Sequence, residues 1–300
     1  MGKASRKKRQ AGQDTPKARP APFVARPFEG LADESEWVAM REILPAASAD
    51  VTLSVPEGTT VAGRDVPAGD HQVTLVTVLP AAMPAIHRDS GEVLVALQSR
   101  TSSGDASRDV VAAALTALTS EPGTSVNSVR PATSETPRLQ DVLAEGQELD
   151  VTVHEDFGFW LGEDATEEMA AALEQMNESA VPMARVEGAP TAYWCHMSGR
   201  SYIRWILGQD EDTALEALAR LQAAHEHTLG EGTELIGAFR ACGVLVPVLE
   251  VPAGSGAEDH AEALAGLQSR YDAALGQDAP LTDAERRARS ALVSRQVTLR

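Results

Sequence analysis

An α+β fold of two related lobes follows from three features of the sequence. Short runs such as Asp50-Val-Thr-Leu-Ser-Val55 alternate apolar and polar residues with the two-residue period of half-buried strands. Longer stretches over 105–118 and 212–229 carry apolar residues at helical spacing. The order strand, hairpin, helix occurs twice: Asp150-Val-Thr-Val153 echoes Asp50-Val-Thr-Leu53, Pro190 answers Pro84, and Gly199 answers Gly91. The drifting offset between the copies is what loop insertions in a duplicated unit would produce. The expected organisation is a disordered basic tail over 1–30, with disorder up to about Pro22 and Phe23 and Phe28 available to dock its end on the body, a first lobe over 31–135, a second over 136–252 that repeats it, and C-terminal helices over 253–300.

A helix is expected over Asp33 to Leu44, where Trp37, Met40 and Leu44 share a face, acidic residues open the first turn and Pro45 stops it. Trp37 reads as a core anchor. Strands are expected at 50–55, 71–79, 83–87 and 92–97, the last two joined as a hairpin through Asp89-Ser90-Gly91. The helix 105–118 ends at Pro122-Gly123, and the Ser/Thr/Pro-rich residues 120–138 read as a linker. In the second half a helix is expected over 164–177, a strand at 181–186, a hairpin over 191–207 turning at Ser198-Gly199, and a helix over 212–229 opened by Thr213 and Glu216. Strands at 234–239 and 244–251 precede helices at 258–275 and 282–296, the last opened by Thr282 and Glu285.

Composition bounds the function. Three hundred residues with 43% hydrophobic content and a mean hydropathy of −0.18 describe a chain able to bury a core in about two domains. No apolar run approaches the roughly 20 residues a membrane helix needs, and the charged MGKASRKKRQ lacks the apolar segment of a secretory signal. Two cysteines, Cys195 and Cys242, are too few for a disulfide framework, so a cytoplasmic setting is expected.

Charge is strongly segregated. Eight basic residues against two acidic ones give the first thirty residues +6, so the other 270 carry −24 of the net −18. All four lysines, Lys3, Lys7, Lys8 and Lys17, lie in that tail. The remainder therefore has no P-loop lysine, no Schiff-base lysine and no Ser-x-x-Lys pair. An acidic body repels phosphate backbones, so contact with RNA or the ribosome is expected of the tail, through Lys3, Arg6, Lys7, Lys8 and Arg9.

Aromatic residues are segregated too. None lies between Val38 and Asp156, whereas Phe157, Phe159, Trp160, Tyr193, Trp194, Tyr202 and Trp205 crowd the next stretch. The hairpin supplies the candidate binding surface, Trp194, His196, Tyr202, Arg204 and Trp205, for a protein partner. Strand alternation sets Trp194 and His196 on one face and Tyr193, Cys195 and Met197 on the other. Cys195 and His196 therefore point apart and do not form a nucleophile–base pair. Arg204, beside Tyr202, is expected to pair with one of the many carboxylates. His225-Glu226-His227 has the wrong spacing for a metal-binding helix, and His154 and Glu155 point oppositely on a strand. Gly254-Ser255-Gly256 sits between a strand and a helix, but Asp259 stands where a dinucleotide loop needs its third glycine. No catalytic residue, metal or cofactor is expected. The reading is a non-enzymatic interaction or regulatory module; the alternative is a small-molecule site or enzyme between the lobes, drawing on the same polar groups or on Asp156 and Glu163.

The strings Arg26-Pro-Phe-Glu-Gly-Leu31 and Trp37-Val-Ala-Met-Arg-Glu-Ile-Leu-Pro-Ala-Ala47 resemble the opening of an uncharacterised family of actinobacteria. The family has no assigned activity. The resemblance implies an origin and a cytoplasmic setting, and carries over no catalytic residue.

Overall fold

A computed structural model describes residues 19–294 apart from 101, 162–170, 172, 175 and 179. The tail positions Lys3, Arg6, Lys7, Lys8 and Arg9, and most of the helix expected over 164–177, lie outside the described residues. The rest is a mixed α+β fold built on two sheets.

Helix α1 (Glu34–Glu42) buries Trp37, Val38, Ala39 and Met40. Strand β1 (Ala47–Val55) follows, with Ala47, Ala49, Val51, Leu53 and Val55 buried and the intervening residues on the other face. The short strands β2 (Thr60–Val61) and β3 (Arg64–Asp65) pair only with each other. Next come β4 (Gly69–Val76), β5 (Ala85–His87), β6 (Val93–Ala96), α2 (Ala106–Leu118), β7 (Thr124–Val126), α3 (Leu139–Val142) and β8 (Thr152–Val153). The first sheet runs β7-β5-β6-β4-β1-β8, with β4 and β6 parallel. Helix α2 starts where Asp105 caps it by accepting from Ser107 N and Arg108 N, and its alanine-rich face is buried in the core.

The second half supplies β9 (Met183–Arg185), β10 (Ala192–Met197), β11 (Arg200–Trp205), α4 (Glu211–Ala223), β12 (Glu234–Ala241), β13 (Val244–Val251), α5 (Ala261–Leu275) and α6 (Asp283–Ser294). The second sheet is antiparallel throughout, in the order β12-β13-β11-β10-β9. Two of its hairpins turn on left-handed pairs, Ser198-Gly199 and Cys242-Gly243. Gly243 admits nothing larger, because a Cβ there would come within 2.8 Å of the Arg26 Cβ.

Several expectations shift. A hairpin followed by a helix occurs in both halves, as β5-β6-α2 and β10-β11-α4. The segment at Asp150, however, is not the opening strand of the second sheet. Its β8 pairs with β1 at the edge of the first sheet, Ala47 opposite Val153. Residues 139–160 belong with the first sheet as well, for Ala144 N donates to Thr52 O and Trp160 Nε1 donates to Val78 O. The boundary set at 136 therefore moves to the approach to β9. The expected helix over 212–229 stops at Ala223, where His225 takes a left-handed φ of 61° and Glu226 N closes back on Leu221 O. Its cap is Asp210, not Thr213: the Asp210 carboxylate accepts from both Thr213 N and Thr213 Oγ1. The box at Thr282 and Glu285 forms as expected.

Residues 19–30, counted with the tail, form a strap laid on the body: Ala21 N donates to Ala132 O and Val24 N to Gly104 O. Of the two phenylalanines able to dock its end, Phe28 is fully buried with its ring on Trp37, while Phe23 is exposed. Arg26 joins the strap to both halves, donating to Glu34 on α1 and to Gly208 O before α4.

One core spans both sheets, with Trp37 and Met40 of α1, Leu53 of β1 and Leu115 of α2 against Tyr193, Phe239 and Val246 of the second sheet. A second core lies between the opposite face of that sheet and α4 and α5, through Trp205, Leu218, Leu264 and Tyr271. A third covers the outer face of the first sheet, where Phe157 and Trp160 sit on Val76 and Leu94. Among the described residues no helix is long and apolar enough to cross a membrane.

Candidate functional site

The hairpin of β10 and β11 pairs Ala192 with Trp205, Tyr193 with Arg204, Trp194 with Ile203, Cys195 with Tyr202 and His196 with Ser201. Cross-strand partners share a face, so the five candidate residues separate. Trp194, His196 and Trp205 face α4 and α5. Tyr202 and Arg204 face the other way, with Tyr193, Cys195 and Met197.

On the helix side Trp205 is 1% exposed. Its Nε1 donates to Gln268 Oε1 at 3.1 Å and its ring meets Tyr271 edge-on at 5.0 Å. That ring fills core and offers nothing to a partner. Trp194 is half-buried and stacks on His196 at 6.3 Å, and His196 hydrogen-bonds to Ser201 Oγ through Nδ1.

On the opposite face Arg204 makes no ion pair among the described residues, contrary to the expected carboxylate. Its Nη2 reaches Met197 Sδ at 3.1 Å, a weak acceptor. Tyr202, Met197 and Arg204 are all half-buried, while Cys195 is fully buried between them. Burial pushes the Cys195 thiol up, with nearby Arg204 only partly opposing it. The thiol is thus protonated and inert at neutral pH. Cys242 is pushed up to about 12 by burial and by the Glu42 carboxylate.

The arginine on this face that does find a carboxylate is Arg185 of β9, opposite Tyr193. Its fork holds Glu36 of α1 with Nη1 to Oε1 at 2.7 Å and Nη2 to Oε2 at 3.0 Å. Thr191 Oγ1 and Tyr193 Oη also donate to Glu36, and Arg185 lies over the Tyr193 ring at 5.1 Å. Glu36 is 6% exposed. Burial works against the Arg185 charge, but the hydrogen bonds to Glu36 and the nearby Tyr193, Glu36 and Glu187 together outweigh it and raise its pKa. Burial, with the adjacent Glu36 charge, pushes Tyr193 far above its ordinary range, so it stays a donor. This cluster ties the two halves together, and every polar atom named in it is occupied. Its signal in the sequence was the spacing of Glu36 and Met40, four apart and so on one face of the helix, which acidic residues at a helix start tend to mask.

A second unpredicted pair is Ser48 of β1 and His154, with Oγ to Nε2 at 2.7 Å. His154 stacks on Phe159 at 4.8 Å, and burial lowers its pKa against the pull of Asp156. The pair has the distance of a nucleophile and its base. Three of the amides near it are already bonded: His154 N to Ala46 O, Phe157 N to Asn177 Oδ1 and Gly158 N to Asp156 Oδ1. Ser48 itself lies inside a strand bonded on both sides. The contact fastens the 154–160 segment to the first sheet.

His225, Glu226 and His227 fall in the turn after α4, and among the described residues no group of three or more His, Cys, Asp and Glu is placed to hold a metal ion. In the Gly254-Ser255-Gly256 loop, Asp259 accepts from Gly256 N at 2.8 Å and His260 holds Ser255 Oγ. The amide a phosphate would use is already bonded.

A model of a family of unknown function, DUF5926, matches residues 27–300. The chain belongs to that family. The match opens at Pro27, one residue before the buried Phe28, so it takes in the strap's anchor, both sheets and the C-terminal helices. No curated protein and no solved structure matches the chain.

Proposed function

We propose that the chain is a non-enzymatic interaction module with an acidic body, in which the basic residues of an N-terminal arm contact a polyanion, RNA or the ribosome. The separation of charge carries this reading: +6 in the first thirty residues against −24 in the rest, with every lysine in the arm. A body of that sign repels phosphate, so affinity has to come from the arm. The first described residues are fixed on the body, for Arg19 O accepts from Ser134 N and Pro20 bridges Thr133. A protein partner, if one is engaged as well, would meet the half-buried Tyr202, Arg204 and Met197 rather than the buried Trp205.

The alternative of a small-molecule site between the halves has less support, since Trp37, Tyr193 and Phe239 pack that junction as core. The test is purification from the native host with and without nuclease, for the full chain and for a chain lacking residues 1–18. The deletion is expected to abolish salt-sensitive retention of RNA or ribosomes. Retention that survives the deletion would discard the proposal.

A further inference from the structure

We infer that the polyanion met by the arm is a single-stranded nucleic acid, and that Phe23 stacks on one of its bases. This rests on the reading of the arm just given, and adds the class of ligand. Phe23 is 81% exposed, whereas Phe28, five residues on in the same strap, is fully buried against Trp37. The other large hydrophobic side chains that stand out among the described residues, Met176 and Val293, are 40% and 44% exposed.

Nothing about Phe23 is loose at the backbone. Val24 N donates to Gly104 O at 2.9 Å, and Ala21 N donates to Ala132 O at 3.3 Å. The strap lies so close to Gly104 that a Cβ there would stand 3.4 Å from the Phe23 Cα. The chain is therefore held on both sides of a ring that it turns outward.

Each segment of chain that holds it carries an arginine. Arg19 precedes Phe23 by four residues, Arg100 precedes Gly104 by four, and Arg130 precedes Ala132 by two. All three are exposed, and none is in an ion pair among the described residues. The acids close to them in sequence are mostly committed: Asp105 is 1% exposed between Arg108 and Arg138, and Asp109 accepts from Ser103 N. Glu135 is exposed and stands against them. Exposed arginines on the segments that hold Phe23, with no ion pair among the described residues, and a lysine-rich sequence preceding it are the elements of single-strand recognition, in which cations track the backbone and a ring takes a base face. A duplex hides those faces, so a surface for duplex alone has no use for the ring.

The experiment is fluorescence anisotropy of labelled single-stranded RNA and DNA, and of the matching duplex, titrated with the full chain at several salt concentrations. Phe23→Ala is expected to weaken single-strand binding about 10-fold, the size of one stacked base, with the salt slope unchanged. Phe23→Trp is expected to retain affinity. Duplex binding is expected to be weaker and indifferent to both variants. Phe23→Ala binding as well as the parent, or duplex binding more tightly than single strand, would overturn the inference while leaving the arm reading intact if deletion of residues 1–18 still abolishes binding. Failure of the full chain to bind any of the probes would sink both. Because Phe23 is solvent-exposed, the alanine variant keeps the fold, and its thermal melt serves as the control.

Discussion

Glu36 is a carboxylate removed from water at the junction of the two halves, and an unpaired charge there would cost several kcal/mol. It is tolerated because Arg185, Thr191 and Tyr193 together saturate both oxygens. Removing the acid strands Arg185 over the Tyr193 ring and leaves two hydroxyls without an acceptor. Breaking one side of a buried pair costs about 3–5 kcal/mol, and the low end applies here because the Arg185 side chain keeps 31% exposure. Glu36→Ala is therefore expected to lose about 3 kcal/mol in urea unfolding, and Glu36→Gln less, since the amide oxygen still accepts from Thr191 or Tyr193. A loss below about 1 kcal/mol for Glu36→Ala would mean that the cluster does not hold the junction.

At the scale of elements, helix α4 separates what the chain announces from what it hides. Its amphipathic run was plain in the sequence, but both ends were not. Thr213 and Glu216 have the spacing of a capping box, yet Asp210 sits at the position with extended backbone, φ −60° and ψ 152°, from which a side chain can reach the free amides. Its hydrogen bonds from Thr213 hold the Asp210 carboxyl below its ordinary value. Asp210→Ala is expected to cost about 1 kcal/mol, and Glu216→Ala less than about 0.5, by chemical denaturation. The reverse order would restore the box. Strand β1 shows the same division. Its alternation was legible because one face is core and the other polar, down to the pairs Thr74 with Asp50 and Gln72 with Thr52. The partner of Asp150-Val-Thr-Val153 was not legible, because a two-residue strand carries too little pattern to say which sheet it joins. The candidate surface failed in part for a related reason. Alternation correctly put Trp205 on a different face from Tyr202 and Arg204, but what covers that face is Tyr271, far along the chain. Arg185 likewise reached a carboxylate 149 positions away, on α1, which no local pattern indicates.

For the whole molecule the decisive arrangement is the second sheet, which serves two cores at once. Along one strand Ala192 enters the helical core and Tyr193 the shared core; Ile206 and Leu207 divide the same way, as do Val246 and Leu245. The strap adds a further tie, with Arg26 bonded to α1 and to Gly208 O. Loss of the first half would expose the Tyr193, Phe239 and Val246 face to water, at about 25 cal/mol for each Å² of apolar surface. The second half keeps the helical core, but alone it would leave the other face of its sheet uncovered, which a separable domain does not do. Equilibrium unfolding is accordingly expected to show one transition, coincident by far-UV circular dichroism and by tryptophan emission, since Trp37 reports the shared core and Trp205 the helical one. A fragment beginning just before β9 is expected to stay unfolded or to aggregate when expressed alone. Two resolved transitions, or a soluble and cooperatively melting fragment, would show instead that the helices α4 and α5 stabilise the second sheet without help from α1.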